Sequence, residues 1–202
     1  MSGFTAVIDY GVGNLHSVSK ALDFVGIKNK ITGDADEIER ADALVLPGVG
    51  AFSMGYAALC DKKLDGLICR EVEKKPLLGI CLGMQLLFDT GYENGKCKGL
   101  GLVRGEIKKI ECEYKLPQIG WNCLKFKHES ILTKGLPSEA YVYFVHSYCA
   151  HAEREEDVIA TCDYGEEITA IVGNGNAYGC QFHPEKSGDI GLAILRNFKD
   201  IF

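Results

Sequence analysis

The 202-residue sequence lacks three features, each of which would define a class of protein. It has no long basic run and a formal net charge of −6, so we expect no nucleic-acid partner. Its most apolar stretch, residues 74–88, is too short to cross a bilayer and contains Gln85, so we expect no membrane segment. The start, MSGFTAVIDYG, has no basic region before its apolar residues, which predicts no signal peptide and a cytoplasmic location.

Paired cysteines are also missing, although the chain has nine cysteines. No two of them form a C-x-x-C pair, so zinc-ribbon spacing is excluded and we expect neither a metal nor a cofactor. The odd number, without a secretion signal, predicts reduced thiols rather than disulfides. A buried small hydrophobic residue is the ordinary role of each cysteine, and chemistry is expected only where the local sequence points to it.

The order of apolar segments predicts the fold class. There is no internal repeat and no low-complexity linker, and the first half alternates strands such as FTAVIDY, ADALVLPGVG and PLLGI with helical patterns. The second half is richer in strands and ends in a helix from about residue 188 to residue 198. We predict one α/β domain over residues 1–202. It has an open, mostly parallel central sheet flanked by helices, with a mixed or antiparallel section after residue 95.

A cysteine occupies the corner between a predicted strand, PLLGI, and a predicted helix, CLGMQLLFDTG. Gly79 and Gly83 flank Cys81 in the G-x-C-x-G form of a nucleophile elbow, which is a sharp and strained turn. A helix N-terminus favours the thiolate, and the backbone N–H of Leu82 can donate to an oxyanion. An ordinary strand-to-helix turn with a packed cysteine remains the alternative.

A base for this thiol is predicted in the segment YGCQFHPEKSG. Pro184 biases His183 towards an extended conformation, and residues two apart in an extended chain point the same way. His183 and Glu185 are therefore expected to face one site, with the carboxylate orienting the imidazole. A strand-end histidine beside a surface glutamate is the alternative. Combined with the elbow, the segment predicts a triad of Cys81, His183 and Glu185.

Two glycine-containing loops suggest backbone contacts to a ligand. In LPGVGAF, Gly48 and Gly50 allow backbone N–H groups to approach a ligand and to complete an oxyanion hole with Leu82, although a plain turn also fits. In DYGVGNLH, the third glycine of a dinucleotide-binding fingerprint is missing, because His16 occupies its position. Dinucleotide binding is therefore not expected.

Together, GICLGMQ, PGVG and HPE resemble the class I (triad) glutamine amidotransferases. The segments IDYGVGNLHSV, LPGVGAF, GICLGMQLLF, PQIGWN, YFVHSY and QFHPEKSG extend the resemblance over nearly the whole chain. In this order they are similar to the glutaminase-subunit family of imidazole glycerol phosphate synthase, which acts in histidine biosynthesis. One local difference is His16, where many members carry arginine.

The resemblance implies a role for each matching residue. Cys81 attacks the side-chain amide of glutamine, His183 moves the proton to the departing ammonia, and Glu185 holds His183. A γ-glutamyl thioester on Cys81 is then hydrolysed to glutamate. The implied oxyanion hole consists of Leu82, Val49 and Gly50. The implied substrate contacts are Gly48, Gln85, Ser147 and Tyr148.

The same resemblance implies that ammonia passes to a cyclase partner with a (βα)₈-barrel fold. The implied docking face comprises Tyr10, Asn14, Trp121, Asn122 and Lys186. Trp121 is the only tryptophan, and tryptophan is enriched at interface hot spots, although a core aromatic residue also fits. Three other functions stay open: a stand-alone cysteine hydrolase, a subunit whose catalysis has decayed, and a glutaminase serving the pyridoxal phosphate or anthranilate synthase. GWN and EKSG argue against the last.

Overall fold

A computed structural model describes residues 3–202. The strands are β1 (Thr5–Ile8), β2 (Asn29–Thr32), β3 (Ala43–Gly48), β4 (Leu77–Cys81), β5 (Phe88–Gly91), β6 (Cys97–Lys98), β7 (Val103–Lys109), β8 (Gln118–Cys123), β9 (Lys125–Phe126), β10 (Tyr141–His146), β11 (Tyr148–Ala152), β12 (Val158–Asp163), β13 (Glu167–Asn174) and β14 (Ala177–Cys180). The α-helices are α1 (Leu15–Phe24), α2 (Ala35–Arg40), α3 (Phe52–Asp61), α4 (Asp65–Val72), α5 (Leu82–Gln85) and α6 (Gly188–Lys199). Short 3₁₀ helices cover Ile131–Thr133, Glu155–Asp157 and Pro184–Lys186. Across these described residues, every helix is too short or too polar to cross a membrane.

An eight-stranded sheet in the order β2-β1-β3-β4-β14-β13-β12-β9 forms the centre of the fold. Pairing is parallel from β2 to β14 and antiparallel from β14 to β9. A four-stranded sheet, β11-β7-β5-β6, and a two-stranded ribbon, β10-β8, complete the fold. The predicted mostly parallel α/β sheet with an added mixed section is confirmed.

Helices cover both faces of the central sheet. Strands β1, β3 and β4 are buried along their whole length, which explains why they are continuous apolar runs in the sequence. Alternate residues face opposite cores, so Val45 packs in one cluster with α1 and α6, and Leu46 packs in the other with α2, α3 and α4. This double layer fixes the strand ends that carry the candidate site.

The predicted helix after Cys81 is wrong in extent. It ends after one turn, Leu82–Gln85, and Phe88–Gly91 is a strand instead. The carbonyl of Leu86 accepts from the N–H of Leu100 at 2.9 Å, and that of Leu87 accepts from Leu102 at 2.8 Å. Pairing with a distant segment therefore replaces the local helical hydrogen bonds of this apolar stretch.

Candidate active site

The parallel strands β3, β4 and β14 end at one edge of the central sheet. Gly48 pairs with Cys81 and Ile80 pairs with Cys180, so the residues that follow these strands meet there. A cavity of about 390 Å³ opens at this edge. Nine residues predicted from the sequence line it: Val49, Gly50, Cys81, Leu82, Gln85, Ser147, Tyr148, His183 and Lys186.

Cys81 occupies a strained turn, as the elbow pattern predicted. Its φ of 54° and ψ of −111° lie in a region that residues with a Cβ rarely adopt, at a typical cost of about 1–3 kcal/mol. A Cβ on Gly79 would lie 2.6 Å from the carbonyl oxygen of Gly83, and one on Gly83 would lie 1.7 Å from that of Leu46. Both flanking glycines are therefore required by the close approach of backbone segments, and the turn brings the thiol to the cavity.

Because α5 has only four residues, the helix macrodipole expected at Cys81 is that of a single turn. The side chain of Gln85 still lies one turn beyond Cys81 and reaches the cavity, as its spacing predicted. The helix N-terminus therefore contributes less at Cys81 than the sequence predicted.

His183 and Glu185 form the contact that the sequence predicted, but through a different local geometry. Nδ1 of His183 lies 2.8 Å from Oε1 of Glu185, and the two side chains are 3% and 1% exposed. His183 is extended, whereas Glu185 belongs to the 3₁₀ helix Pro184–Lys186. A helical turn, not an extended chain, therefore brings the carboxylate back to the imidazole.

The charge state of His183 is set by opposing effects. Burial lowers its pKa, but the side chains of Cys81 and Glu185 raise it by more, to about 9. Nε2 is buried and has no hydrogen-bond partner among the atoms of residues 3–202. With Nδ1 held by Glu185, Nε2 is the nitrogen that remains for exchanging a proton at Cys81.

A second histidine in the cavity, His146, was missed by the sequence reasoning. Its Nδ1 lies 2.8 Å from the carbonyl oxygen of Tyr148, which can only accept, so Nδ1 carries the proton. Burial, with a smaller contribution from His183, lowers the pKa of His146 to about 4, although the hydrogen bond to the Tyr148 carbonyl acts in the opposite direction. The site thus combines a neutral imidazole with a readily charged one. The segment YFVHSY contained His146, but its position depends on β10.

The loop after β3 covers one side of the cavity. Gly48 is buried, and a Cβ there would lie 2.4 Å from the hydroxyl oxygen of Tyr10. Val49 is 43% exposed, and Gly50 has a φ of +94°, which favours glycine. The N–H of Phe52 donates to Oε2 of Glu93 at 2.8 Å and ties the end of the loop to the body of the protein. The loop therefore has a packed base and an open tip.

The residues predicted to face a partner divide into two groups. Asn14 and Lys186 are exposed, Trp121 is 54% exposed, and Asn122 is half-buried. Tyr10 differs, because only 1% of its surface is exposed and it packs beneath Gly48. Its side chain is therefore part of the core under the loop and is not exposed for contact with a partner.

Around Trp121, the outer side of the β8–β10 ribbon is unusually apolar. Trp121 pairs with Tyr143, and their ring centroids are 6.0 Å apart. Ile119 and Tyr141, on the same side, are 61% and 50% exposed. We call these four residues the ribbon face. Contiguous exposed apolar residues of this kind mark interaction surfaces.

Comparisons with known proteins show the family of this chain. The family model "Glutamine amidotransferase class-I" matches residues 6–201. The imidazole glycerol phosphate synthase subunit HisH of Listeria monocytogenes serotype 4a (strain HCC23) is 49% identical, over 96% of this chain and 94% of the relative. The subunit of the same name from Caldanaerobacter subterraneus subsp. tengcongensis is 47% identical, over 96% of this chain and 97% of the relative.

Solved structures show the same fold at lower identity. A glutamine amidotransferase crystal structure superposes with a TM-score of 0.78 at 20% identity, covering 98% of both chains. PurLQS from Thermotoga maritima gives 0.79 at 20% identity, covering 99% of both chains. From the family model and the near-full-length relatives it follows that this chain belongs to the class I glutamine amidotransferases, in the family of the HisH subunits.

Proposed function

We propose that this chain is the glutaminase subunit of an imidazole glycerol phosphate synthase in histidine biosynthesis. It hydrolyses glutamine to glutamate and ammonia and passes the ammonia to a cyclase partner. The observation that carries the proposal is the 2.8 Å contact between His183 and Glu185 beside a strained Cys81 at one cavity. A cytoplasmic location fits the nine cysteines, all of which are free.

In the first half of the reaction, the Cys81 thiol gives its proton to Nε2 of His183. The sulfur attacks the side-chain carbonyl carbon of glutamine, and a C–S bond forms. His183 then returns the proton to the amide nitrogen, the C–N bond breaks, and ammonia leaves behind a γ-glutamyl thioester. Glu185 stabilises the imidazolium that exists between the two transfers.

In the second half, a water molecule attacks the thioester carbon while His183 accepts its proton. The C–S bond breaks, glutamate leaves, and the proton returns to the sulfur. In both halves, the attack at the carbonyl carbon leaves a negatively charged oxygen. This oxyanion accepts hydrogen bonds from the backbone N–H groups of Leu82 and of Val49 or Gly50. Loss of one such donor typically costs about 10²–10³ in rate.

Substrate orientation falls to Gly48, Gln85, Ser147 and Tyr148. Nε2 of Gln85 donates to the carbonyl of Tyr148 and to Oε1 of Gln181, both at 3.0 Å. Its own carbonyl oxygen therefore remains for the substrate. The backbone of Ser147 and Tyr148, where β10 meets β11, holds the α-amino and carboxylate groups at the far end of glutamine.

The cyclase partner, a (βα)₈ barrel, docks on the cavity side of the chain. The ribbon face supplies an apolar centre with a half-exposed tryptophan, the residue type most enriched at binding hot spots. Lys186, exposed at the cavity, and Asn14 and Asn122 supply polar contacts around it. Docking at this edge places the source of ammonia next to its acceptor.

The test is glutamate release from glutamine by the chain alone, with the cyclase, and with the cyclase plus its ribotide ligand. We expect substantial activity only in the last condition. High activity of the chain alone, unchanged by the cyclase, would identify a stand-alone cysteine hydrolase and remove the docking assignments. Activation by another synthase instead would assign the chain to a different pathway.

A further inference from the structure

A buried glutamine that has no role so far contacts the candidate nucleophile. Gln181 follows β14 directly and has no exposed surface. Because Cys180 pairs with Ile80, the next residues, Gln181 and Cys81, lie side by side at the sheet edge. Nε2 of Gln181 lies 3.9 Å from Sγ of Cys81, within the range of an N–H···S hydrogen bond.

The orientation of the Gln181 amide follows from its other contact. The carbonyl of Tyr148 can only accept, so the group of Gln85 that faces it is the NH₂ group, at 3.0 Å. The same NH₂ group lies 3.0 Å from Gln181, which must therefore present its oxygen there. The NH₂ group of Gln181 is then the one that faces the sulfur.

We propose that Gln181 is a further catalytic residue, which donates its amide N–H to the Cys81 sulfur and favours the thiolate form. This inference rests on the proposed function, because it takes Cys81 as the nucleophile. A hydrogen bond to the charged form of a group stabilises that form. The array from Tyr148 through Gln85 and Gln181 to Cys81 also joins a substrate contact to the nucleophile, so seating glutamine and aligning the sulfur depend on the same hydrogen bonds.

The chain offers a matched control for this contact. Nε2 of Gln118 lies 3.8 Å from Sγ of Cys162, and both residues have no exposed surface. Neither of them lines the active-site cavity. Methionine has a volume similar to that of glutamine but no amide N–H. Replacing each glutamine by methionine therefore removes the donor next to a buried sulfur, inside the site for Gln181 and outside it for Gln118.

The experiment measures the rate of alkylation of Cys81 by iodoacetamide from pH 5 to pH 10 in the full chain. The tryptic peptide 75–96, whose only cysteine is Cys81, gives a site-specific mass-spectrometric readout. We expect Gln181→Met to raise the pH midpoint of alkylation by about one unit, which means about tenfold slower labelling at pH 7. Gln118→Met is expected to leave the midpoint at Cys81 unchanged.

Gln181→Glu is the second variant, in case the methionine variant does not fold. It keeps the acceptor for Gln85 but puts a negative charge beside the sulfur, so the midpoint should rise further. An unchanged midpoint in a folded Gln181 variant, whether or not the rate falls at every pH, would overturn the donor role. If Cys81→Ala keeps full partner-activated glutamine hydrolysis, the proposed function itself fails, and that result does not depend on any Gln181 variant.

Discussion

Two buried cysteines of this chain each receive an amide N–H from a buried glutamine, yet their surroundings differ. Cys81 has Gln181 at 3.9 Å and Cys162 has Gln118 at 3.8 Å. Burial raises the pKa of Cys162 to about 12, although Gln118 acts in the opposite direction. An amide donor therefore does not by itself make a thiol reactive. Within residues 3–202, Cys162 makes no hydrogen bond to an imidazole and does not line the active-site cavity.

The backbone separates the two cysteines as clearly as the side chains do. Cys162 lies within strand β12, paired with Ile168 of β13. Cys81 terminates its strand with a φ of 54°, a conformation stabilised by the close packing around Gly79 and Gly83. The same residue type is thus structural in a regular strand and accessible at a strained strand end.

The largest effect is expected from Cys81→Ala. Removing the nucleophile should lower partner-activated glutamine hydrolysis by a factor on the order of 10⁵, while folding and partner binding are retained. Cys162→Ala, the matched change in the other pair, should leave the rate within about threefold and lower only the melting temperature, by a few degrees. Glutamate release and thermal unfolding measure both. Full activity of Cys81→Ala would eliminate the triad.

Glu185→Gln removes the carboxylate that distinguishes the Cys81 surroundings. We expect hydrolysis to fall by a factor on the order of 10³, because His183 loses the group that orients and charges it. The folded-state pKa of His183, about 9, exceeds its usual value of 6.5, so the stabilising interaction is complete below pH 6.5 and is lost as the pH rises through 9. The unaltered chain should lose about 2–3 kcal/mol of unfolding free energy over this interval.

This loss should be smaller in Glu185→Gln but not absent, because Cys81 also raises the pKa of His183 and remains in the variant. Denaturant unfolding at pH 6 and pH 9.5 gives the loss of unfolding free energy for each protein. The difference between the two losses isolates the contribution of the His183–Glu185 ion pair. The same pH slope in both would mean that Glu185 does not set the charge of His183.

Gly83→Ala tests whether the elbow depends on the missing Cβ. The new methyl group would meet the Leu46 carbonyl oxygen at 1.7 Å, so we expect a loss of about 3 kcal/mol or more and a melting temperature lower by about 10 °C. The control is Gly66→Ala in α4, where the nearest atom would lie 3.7 Å away. That change should stabilise the chain by about 0.5–1 kcal/mol. Equal melting temperatures of the two variants would refute the packing argument.

Trp121→Ala should give the smallest effect and separates the two sides of the ribbon. On β8, Gln118 points inward to Cys162, whereas Trp121 is 54% exposed. We expect affinity for the cyclase to fall by about 2 kcal/mol, or about 30-fold, with little change in melting temperature. Phe24→Ala, at an exposed position at the far end of α1 from Asn14, serves as the control and should not change the affinity. A large loss of stability with unchanged affinity would make Trp121 a structural residue.

The sequence predicted the parts of the molecule that local patterns determine. Continuous apolar runs identified β1, β3 and β4, and G-x-C-x-G identified the elbow. The short helix α2 also had a local signal that was overlooked, since Asp34 accepts from the N–H of Glu37 at 3.0 Å as an N-cap. Composition and spacing were sufficient here because each feature leaves its pattern within one short segment, even where distant segments help to stabilise it.

Features that depend on contacts between distant segments were not predictable in the same way. Gln181 and His146 reach the site only through the positions of β14 and β10. Tyr10 was predicted to lie on an exposed docking face. It is instead packed beneath Gly48, which is 38 residues away in the sequence. The strand β5 replaced a predicted helix for the same reason, because its partners are supplied by β6 and β7.

The most direct test of the central claim is to trap the acyl-enzyme. The chain with its cyclase and ribotide ligand is mixed with glutamine, quenched in acid within the first turnovers, digested and analysed by mass spectrometry. The account predicts a γ-glutamyl group on Cys81 alone, in the peptide 75–96, and none in Cys81→Ala. Rapid glutamate release without any modified Cys81, or with the group on another cysteine such as Cys162, would contradict it.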